Sequence, residues 1–221
     1  MKKHQKQIFA LAVTLLFTAT VLLLTGLSEA GKPEKPDPVM DMLQDIYDIV
    51  LDTNSKVEGV LIQKTGQTTS YATGDDGDLQ KGLEWPDPRF TDIGDGTVTD
   101  NLTGLIWLKN ADCFNARTWN EALSDSNSLA DEQCGLTDGS SEGDWRLANA
   151  RELSSLIDFG QFDIALPAGH PFINVRSDSY WSSTTLTDTI QQAWRMCIHC
   201  GHLSLDNKTD HHYVWPVRSG N

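Results

Sequence analysis

Two helix-start signals lie in the second half of the chain, and they constrain its fold more than any other feature. Thr118-x-x-Glu121 and Asn149-x-x-Glu152 are capping-box patterns, in which two side chains satisfy backbone groups at the first turn of a helix. Apolar residues recur at helical spacing after each signal. They are Trp119, Ala122, Leu123 and Leu129 after the first, and Leu153, Leu156 and Ile157 after the second. The sequence therefore predicts two helices, each with one buried face.

Strand signals lie before and after these helices. Asp95-Gly96 separates two short apolar stretches and predicts a hairpin turn, and Leu105–Leu108 predicts a buried strand. Three later strands are predicted at Tyr180-Trp181, Ala193–Met196 and Tyr213–Trp215. Helices followed by antiparallel strands indicate the α+β class.

The N-terminus has the layout of a secretory signal peptide. Lys2, Lys3 and Lys6 precede an apolar run over 8–27, and small residues at Ser28 and Ala30 suit cleavage after residue 30. The sequence thus predicts a signal peptide over 1–30 and a secreted, periplasmic or cell-surface protein. Because the apolar run approaches the length of a membrane-spanning helix, an uncleaved anchor is the alternative, and it is the only membrane contact expected.

The charge balance excludes some classes of partner. The formal net charge is -14, and removal of the signal peptide would make the chain more acidic. Nucleic acids and anionic membrane surfaces select basic proteins, so no nucleic-acid partner is expected.

A proline-rich spacer and a heptad pattern follow the signal, over 31–62. Apolar or β-branched residues alternate at steps of four and three from Val39 to Val60, with a β-branched residue at every d position. This pattern predicts a short coiled-coil helix that forms a homotrimer. An amphipathic helix packed against the rest of the chain is the alternative. Residues 63–88 are rich in Gly, Thr, Asp and Pro and predict a connector, which leaves 89–221 as the main domain.

Four cysteines in an exported chain favour disulfides. Three pairings are open. We expect Cys113–Cys134, which would join the two ends of the first predicted helix, and Cys197–Cys200 as a local pair.

Four sequence blocks identify a family resemblance. They are RFTDIGDGTVTDNLTGLIWLK from Arg89, GDWRLANARELSSLID from Gly143, YWSSTT from Tyr180 and YVWPVRSG from Tyr213. In this order they resemble the Lcl C-terminal domain family, named after a collagen-like bacterial adhesin, over roughly 64–221. The resemblance implies a C-type lectin-like fold and an adhesin-like role. Ala148 departs from the Arg-Leu-Pro block of a related branch of that fold, and no collagen-like repeat is present.

The polar residues near the C-terminus are the candidate ligand-binding set. Long loops on a rigid scaffold commonly carry recognition, and the segment 195–212 is predicted to be such a loop, together with 176–179. The candidates are Trp194, Arg195, His199, His202, Asp206, Asn207, Lys208, His211 and His212. Since imidazoles gain charge below about pH 6.5, binding of an acidic glycan is expected to strengthen as the pH falls and to weaken with salt.

The sequence predicts no cofactor, although it offers ligands for two cations. Cys197, Cys200 and nearby histidines have zinc-site spacing, but oxidation of the cysteines would remove two ligands. Asp92, Asp95 and Asp100 resemble a calcium loop, but glycines stand where an EF-hand needs oxygen ligands. A disulfide and a hairpin turn are the favoured interpretations.

These patterns favour a non-catalytic binding module over an enzyme. No Ser-His-Asp arrangement, phosphate loop or paired-carboxylate motif is evident. Carbohydrate or a glycoconjugate is the expected ligand. A structural protein–protein subunit of an envelope assembly is the first alternative, and a cysteine-dependent oxidoreductase-like enzyme is the second. Most of the seven tryptophans lie in predicted elements and are expected in the core.

Overall fold

The computed structural model describes residues 62–220 and, before them, only Gln44, Asp45 and Asp48. The predicted signal peptide, the spacer and the heptad positions between Val39 and Val60 lie outside the described residues. Among the residues that are described, no helix is both long and apolar enough to cross a lipid bilayer.

Residues 62–220 form three short helices and eight strands, so the predicted α+β class is confirmed. The helices are α1 (Asp76–Leu79), α2 (Trp119–Ser128) and α3 (Ala150–Ser155). The strands are β1 (Phe90–Asp92), β2 (Thr97–Asp100), β3 (Leu105–Leu108), β4 (Arg146–Leu147), β5 (Ser179–Thr185), β6 (Gln192–Cys197), β7 (His202–Asn207) and β8 (Pro216–Ser219).

The strands make two antiparallel sheets. The first has five strands in the order β1-β2-β3-β8-β4, and the second has three in the order β5-β6-β7. Because β8 pairs with β3 and β4, the end of the chain returns beside its first hairpins. The Asp95-Gly96 turn joins β1 to β2, as the sequence predicts, and Gly96 has a φ of 87°.

Both predicted helices begin at their capping boxes. Glu121 accepts hydrogen bonds from the backbone N of Thr118 (2.9 Å) and from its hydroxyl (2.7 Å). Asn149 Oδ1 accepts from the backbone N of Glu152 (3.0 Å), and Glu152 Oε2 accepts from the backbone N of Asn149 (2.8 Å). Local side chains therefore determine where α2 and α3 start.

Aromatic residues form the centre of the core. Trp107, Trp145, Trp181 and Trp215 are all 0% exposed, which confirms their predicted core role. The ring of Trp215 packs edge-on against Trp107 (5.8 Å between centroids) and Phe172 (4.9 Å). Its indole N–H donates to the carbonyl of Leu108 (2.9 Å). Burial of such large side chains supplies much of the hydrophobic stabilisation.

The last predicted strand is displaced along the chain. The sequence predicts it at Tyr213–Trp215, whereas β8 begins at Pro216. Tyr213 instead bonds to the edge of β5, through Trp181 N to Tyr213 O (3.0 Å) and Tyr213 N to Ser179 O (2.9 Å). Between Tyr213 and Pro216 the chain passes from the three-stranded sheet to the five-stranded sheet. The apolar run therefore connects the two sheets and does not form one strand.

Residues 62–88 lie against the domain through specific hydrogen bonds. Gln63 Nε2 donates to the carbonyl of Ser155 (3.1 Å), and Phe159 N donates to the carbonyl of Thr65 (2.8 Å). The indole of Trp85 donates to the carbonyl of Lys64 (3.2 Å). This segment therefore packs beside the end of α3.

Candidate functional site

The candidate residues lie mainly on a β-hairpin rather than on a loop. The sequence predicts a loop over 195–212, but strands β6 and β7 occupy most of it, and a turn containing Gly201 joins them. That prediction was wrong because it was based on the many polar residues and histidines of the segment and passed over the alternating pattern of β7, which is typical of a strand. Most of the segment is therefore paired strand.

Strand geometry separates Trp194 from Arg195. Adjacent strand residues point to opposite faces of a sheet. Trp194 pairs with Leu205 in the register, and Arg195 pairs with Ser204. Both neighbours belong to the candidate set from the sequence, but they lie on different faces and cannot contact the same small ligand.

Arg195, Asp206 and His212 form a cluster on one face of the three-stranded sheet. Arg195 Nε lies 3.2 Å from Asp206 Oδ2, and His212 Nε2 lies 3.1 Å from the same oxygen. Arg195 Nη1 also donates to the hydroxyl of Ser179. Arg195 lies on β6, Asp206 on β7, and His212 in the segment that follows β7. We call these three residues the Arg195 cluster.

Burial changes the ionisation of this cluster. It lowers the pKa of His212 below the ordinary imidazole value, although the hydrogen bond to Asp206 acts in the opposite direction. The ring of His212 also packs edge-on against Trp181, with 4.6 Å between centroids. His212 is therefore harder to protonate near neutral pH than a solvated imidazole. His199, His202 and His211 are exposed.

Lys208 takes part in a second contact at the exit of β7. Its ammonium nitrogen lies 3.8 Å from the centre of the Trp119 ring and donates to the hydroxyl of Thr185 (2.8 Å). Its carbonyl accepts from Trp119 N (3.0 Å). Asn207 is exposed at the end of the strand. The sequence does not predict Trp119 and Thr185 as partners of Lys208, because no local pattern links residues so far apart in the chain.

His199 lies in a small polar group with Ser177 and Asp163. The Ser177 hydroxyl lies 3.0 Å from His199 Nδ1, and Asp163 Oδ1 lies 3.3 Å from the same nitrogen. In a catalytic triad, the serine and the carboxylate contact different ring nitrogens. The arrangement does not meet this requirement, and all three side chains are on the surface.

The acidic residues of the first hairpin bind groups of the protein itself. Asp95 Oδ1 accepts from the backbone N (3.0 Å) and hydroxyl (2.6 Å) of Thr97. Asp92 contacts Lys109 Nζ (2.6 Å), and Asp100 is buried against Arg89. These contacts support the hairpin-turn interpretation of this stretch over the calcium-loop interpretation.

Both expected disulfides are present. Cys113–Cys134 spans α2, and Cys197–Cys200 lies in the turn between β6 and β7, with Cα atoms 5.6 Å apart in each pair. Within the described part of the chain, one group of metal-ligating side chains converges: Cys197, Cys200 and His202, whose ligand atoms all lie within 4.8 Å of one another.

Comparison with known proteins gives one family match. The model of the Lcl C-terminal domain matches residues 96–218, which is more than half of the chain and includes α2, α3 and the Arg195 cluster. No curated protein sequence matches the chain.

Proposed function

Because the chain belongs to the Lcl C-terminal domain family, we propose that it is an exported, non-catalytic module that binds carbohydrate at the bacterial cell surface. The family suggests an adhesin-like surface domain. Our proposal adds two specific statements to that role: the ligand is carbohydrate, and the signal peptide over 1–30 directs export.

The fold that we propose for the domain is C-type lectin-like. Two features support this assignment: α2 and α3 accompany two antiparallel sheets, and β8 returns beside β3. In such a domain the ligand face is built on residues held by strands, which keeps side chains in fixed positions.

The partly exposed side chain of Arg195 carries the proposal. Nη1 donates to the hydroxyl of Ser179, and Asp206 forms an ion pair at Nε without a hydrogen bond to it, while the side chain remains 23% exposed. Within residues 62–220, Arg195 Nη2 makes no hydrogen bond. It can therefore donate to an oxygen of a bound molecule. Because two protein groups already orient it, little side-chain freedom is lost on binding.

A carboxylated glycan fits this group best. Guanidinium binds carboxylate through charge-assisted hydrogen bonds, and Asp206 can accept from a neighbouring sugar hydroxyl. In a chain with a net charge of -14, an acidic ligand needs such a local cation. Because the contact is partly exposed, added salt should weaken binding.

A glycan array with the mature protein tests the proposal. We expect binding to carboxylated glycans, with Arg195→Gln weakening it by about tenfold or more, as expected for loss of a hydrogen bond to a charged group. Arg151→Gln is the matched control, since Arg151 is exposed on α3. Circular dichroism would show that both variants fold. Absence of glycan binding, or equal binding by the two variants, contradicts the proposal.

We also propose that the segment 39–60 assembles the protein into a trimer. Its heptad pattern is the support, and three linked sites would raise the avidity for a multivalent surface. Light scattering would measure the mass of the mature protein and of a form that starts at Gln63. A monomer in both cases contradicts the trimer.

A structural subunit is the second candidate function. Phe159 and Phe162 are 57% and 87% exposed in one surface segment, and exposed aromatic residues favour protein–protein contacts. If Phe159→Ser/Phe162→Ser removes association with envelope proteins while glycan binding stays absent, this function replaces the first. The oxidoreductase-like alternative would require exchange between Cys197–Cys200 and a small dithiol, which titration of free thiols measures.

A further inference from the structure

The turn between β6 and β7 contains a group of metal-ligating side chains that the proposed carbohydrate site does not include. Cys197, Cys200 and His202 bring two sulfurs and a ring nitrogen within 4.8 Å of one another. We propose that this turn, when its disulfide is reduced, binds Zn²⁺ through Cys197 Sγ, Cys200 Sγ and a His202 ring nitrogen. Thiolate and imidazole are preferred zinc ligands, and this Cys₂His set leaves one tetrahedral position for solvent.

The reaction that opens the site is the reduction of one disulfide. A thiol or phosphine reductant supplies two electrons, the S–S bond breaks, and two protons from solvent complete two thiols. When Zn²⁺ binds, both thiols lose their protons to solvent and coordinate as thiolates. Tetrahedral zinc holds two sulfurs about 3.8 Å apart, a separation that side-chain rotation can provide.

The turn has a backbone that suits cysteine ligation. Cys200 N lies 3.3 Å from Cys197 Sγ and donates to it, and such N–H···S contacts stabilise a thiolate. Gly201 follows with a φ of 68°, a left-handed conformation that glycine adopts without strain. A Cβ at Gly201 would lie 3.2 Å from Ile157 Cγ2, so the turn also packs closely on the core.

Hydrogen bonds hold the turn without help from the disulfide. Gly201 N donates to Cys197 O (2.8 Å), Ile198 N to Asp178 O (2.9 Å) and Ala165 N to Ile198 O (2.9 Å). Ile198 is 0% exposed and anchors the turn in the core. Since none of these hydrogen bonds uses a cysteine sulfur, reduction leaves their donors and acceptors intact, and we expect both cysteines and His202 to stay close together without the ordering of a loop.

Zinc titration of the reduced protein tests the site. After treatment with a phosphine, we expect one Zn²⁺ per chain, measured by competition with a chromogenic chelator, and none for the oxidised protein. Cys197→Ser/Cys200→Ser should abolish binding. Cys113→Ser/Cys134→Ser is the matched control and should retain it, which separates the two disulfides.

The histidine ligand has its own control. His202→Gln should weaken zinc binding by on the order of tenfold or more, because even groups that only support a ligand have effects of that size. His211→Gln should leave binding unchanged, since His211 lies outside the group. Equal binding by these two variants would overturn the assignment of His202.

A measurement on the wild-type chain removes any dependence on variant folding. Bound zinc should slow alkylation of Cys197 and Cys200 in the reduced protein, whereas Cys113 and Cys134 should react at the same rate with and without zinc. Peptide mass spectrometry locates the labelled cysteines. Unprotected Cys197 and Cys200, or no zinc bound after reduction, would overturn the proposal without affecting the test of carbohydrate binding.

Discussion

Arg89 and Asp100 form a buried ion pair between the start and the end of the first hairpin. Arg89 Nε lies 3.0 Å from Asp100 Oδ1, and Nη2 lies 3.2 Å from Oδ2. Arg89 Nη2 also donates to the carbonyl of Ser155 (2.6 Å), and Asp100 accepts from the hydroxyl of Thr103 (2.8 Å). The pair thus connects the five-stranded sheet to the end of α3.

Removing one partner of this pair should destabilise the protein strongly. Asp100→Asn leaves a buried guanidinium without its counter-charge, which typically costs about 3–5 kcal/mol of unfolding free energy. Urea denaturation measures the loss. Lys109→Met, which removes an exposed ion pair with Asp92, should cost much less. The double variant Arg89→Met/Asp100→Asn should lose less than the sum of its single variants, and strict additivity would contradict the coupling.

Two glycines of the first hairpin should differ in their tolerance of a side chain. Gly94 and Gly96 have φ values of 89° and 87°, so alanine strains the backbone equally at both. A Cβ at Gly96 would collide with the carbonyl of Gly135 and lie 2.9 Å from Leu136 Cα, whereas Gly94 has open space. Gly96→Ala should therefore be less stable than Gly94→Ala by about 1–3 kcal/mol in urea denaturation. Equal losses of stability would mean that the hairpin turn does not pack closely on Gly135 and Leu136.

The two disulfides should contribute differently to stability. Cys113–Cys134 has a sequence separation of 21, and Cys197–Cys200 has a separation of 3. Loop-closure entropy then predicts that the double Ser variants lose about 3 kcal/mol for the first pair and about 2 kcal/mol for the second. Chemical denaturation of both variants under oxidising conditions measures the two losses of unfolding free energy and shows which is larger. A larger loss at Cys197–Cys200 would contradict it.

Stability should decrease as the pH falls below about 6.5, the ordinary imidazole pKa of the unfolded chain. Burial lowers the pKa of His170 and of His212 in the folded protein. Between the folded and unfolded pKa values, the unfolded chain binds more protons, so protonation favours unfolding. The melting temperature of His170→Gln/His212→Gln should therefore decrease less between pH 7.5 and about pH 5.5 than that of the wild type.

The exposed His211 provides the control for this pH dependence. His211→Gln should follow the wild-type profile, since it removes a histidine that lies on the surface instead of one that folding buries. A double variant at His170 and His212 with an unchanged profile would assign the pH dependence to other groups. Asp206 contacts His212, so repeating the comparison in the Asp206→Asn background separates the contribution of this carboxylate.

Local sequence signals predicted the starts of α2 and α3 and the turn of the first hairpin. Each depends on side chains within a few residues, such as Thr118 with Glu121 and Asn149 with Glu152. The same locality explains the correct pairing of Cys197 with Cys200. Predictions that needed only neighbouring residues were confirmed because short-range sterics and hydrogen bonds determine those features.

The sequence by itself determined the fold class, the helix starts, the family and the residue types of the candidate site. Only the tertiary structure decided which of those residues meet. Arg195, Asp206 and His212 converge because β6 pairs with β7, and Trp194 is excluded because neighbours on a strand face opposite ways. Strand pairing and burial depend on contacts between distant segments, and no local pattern in the chain specifies them.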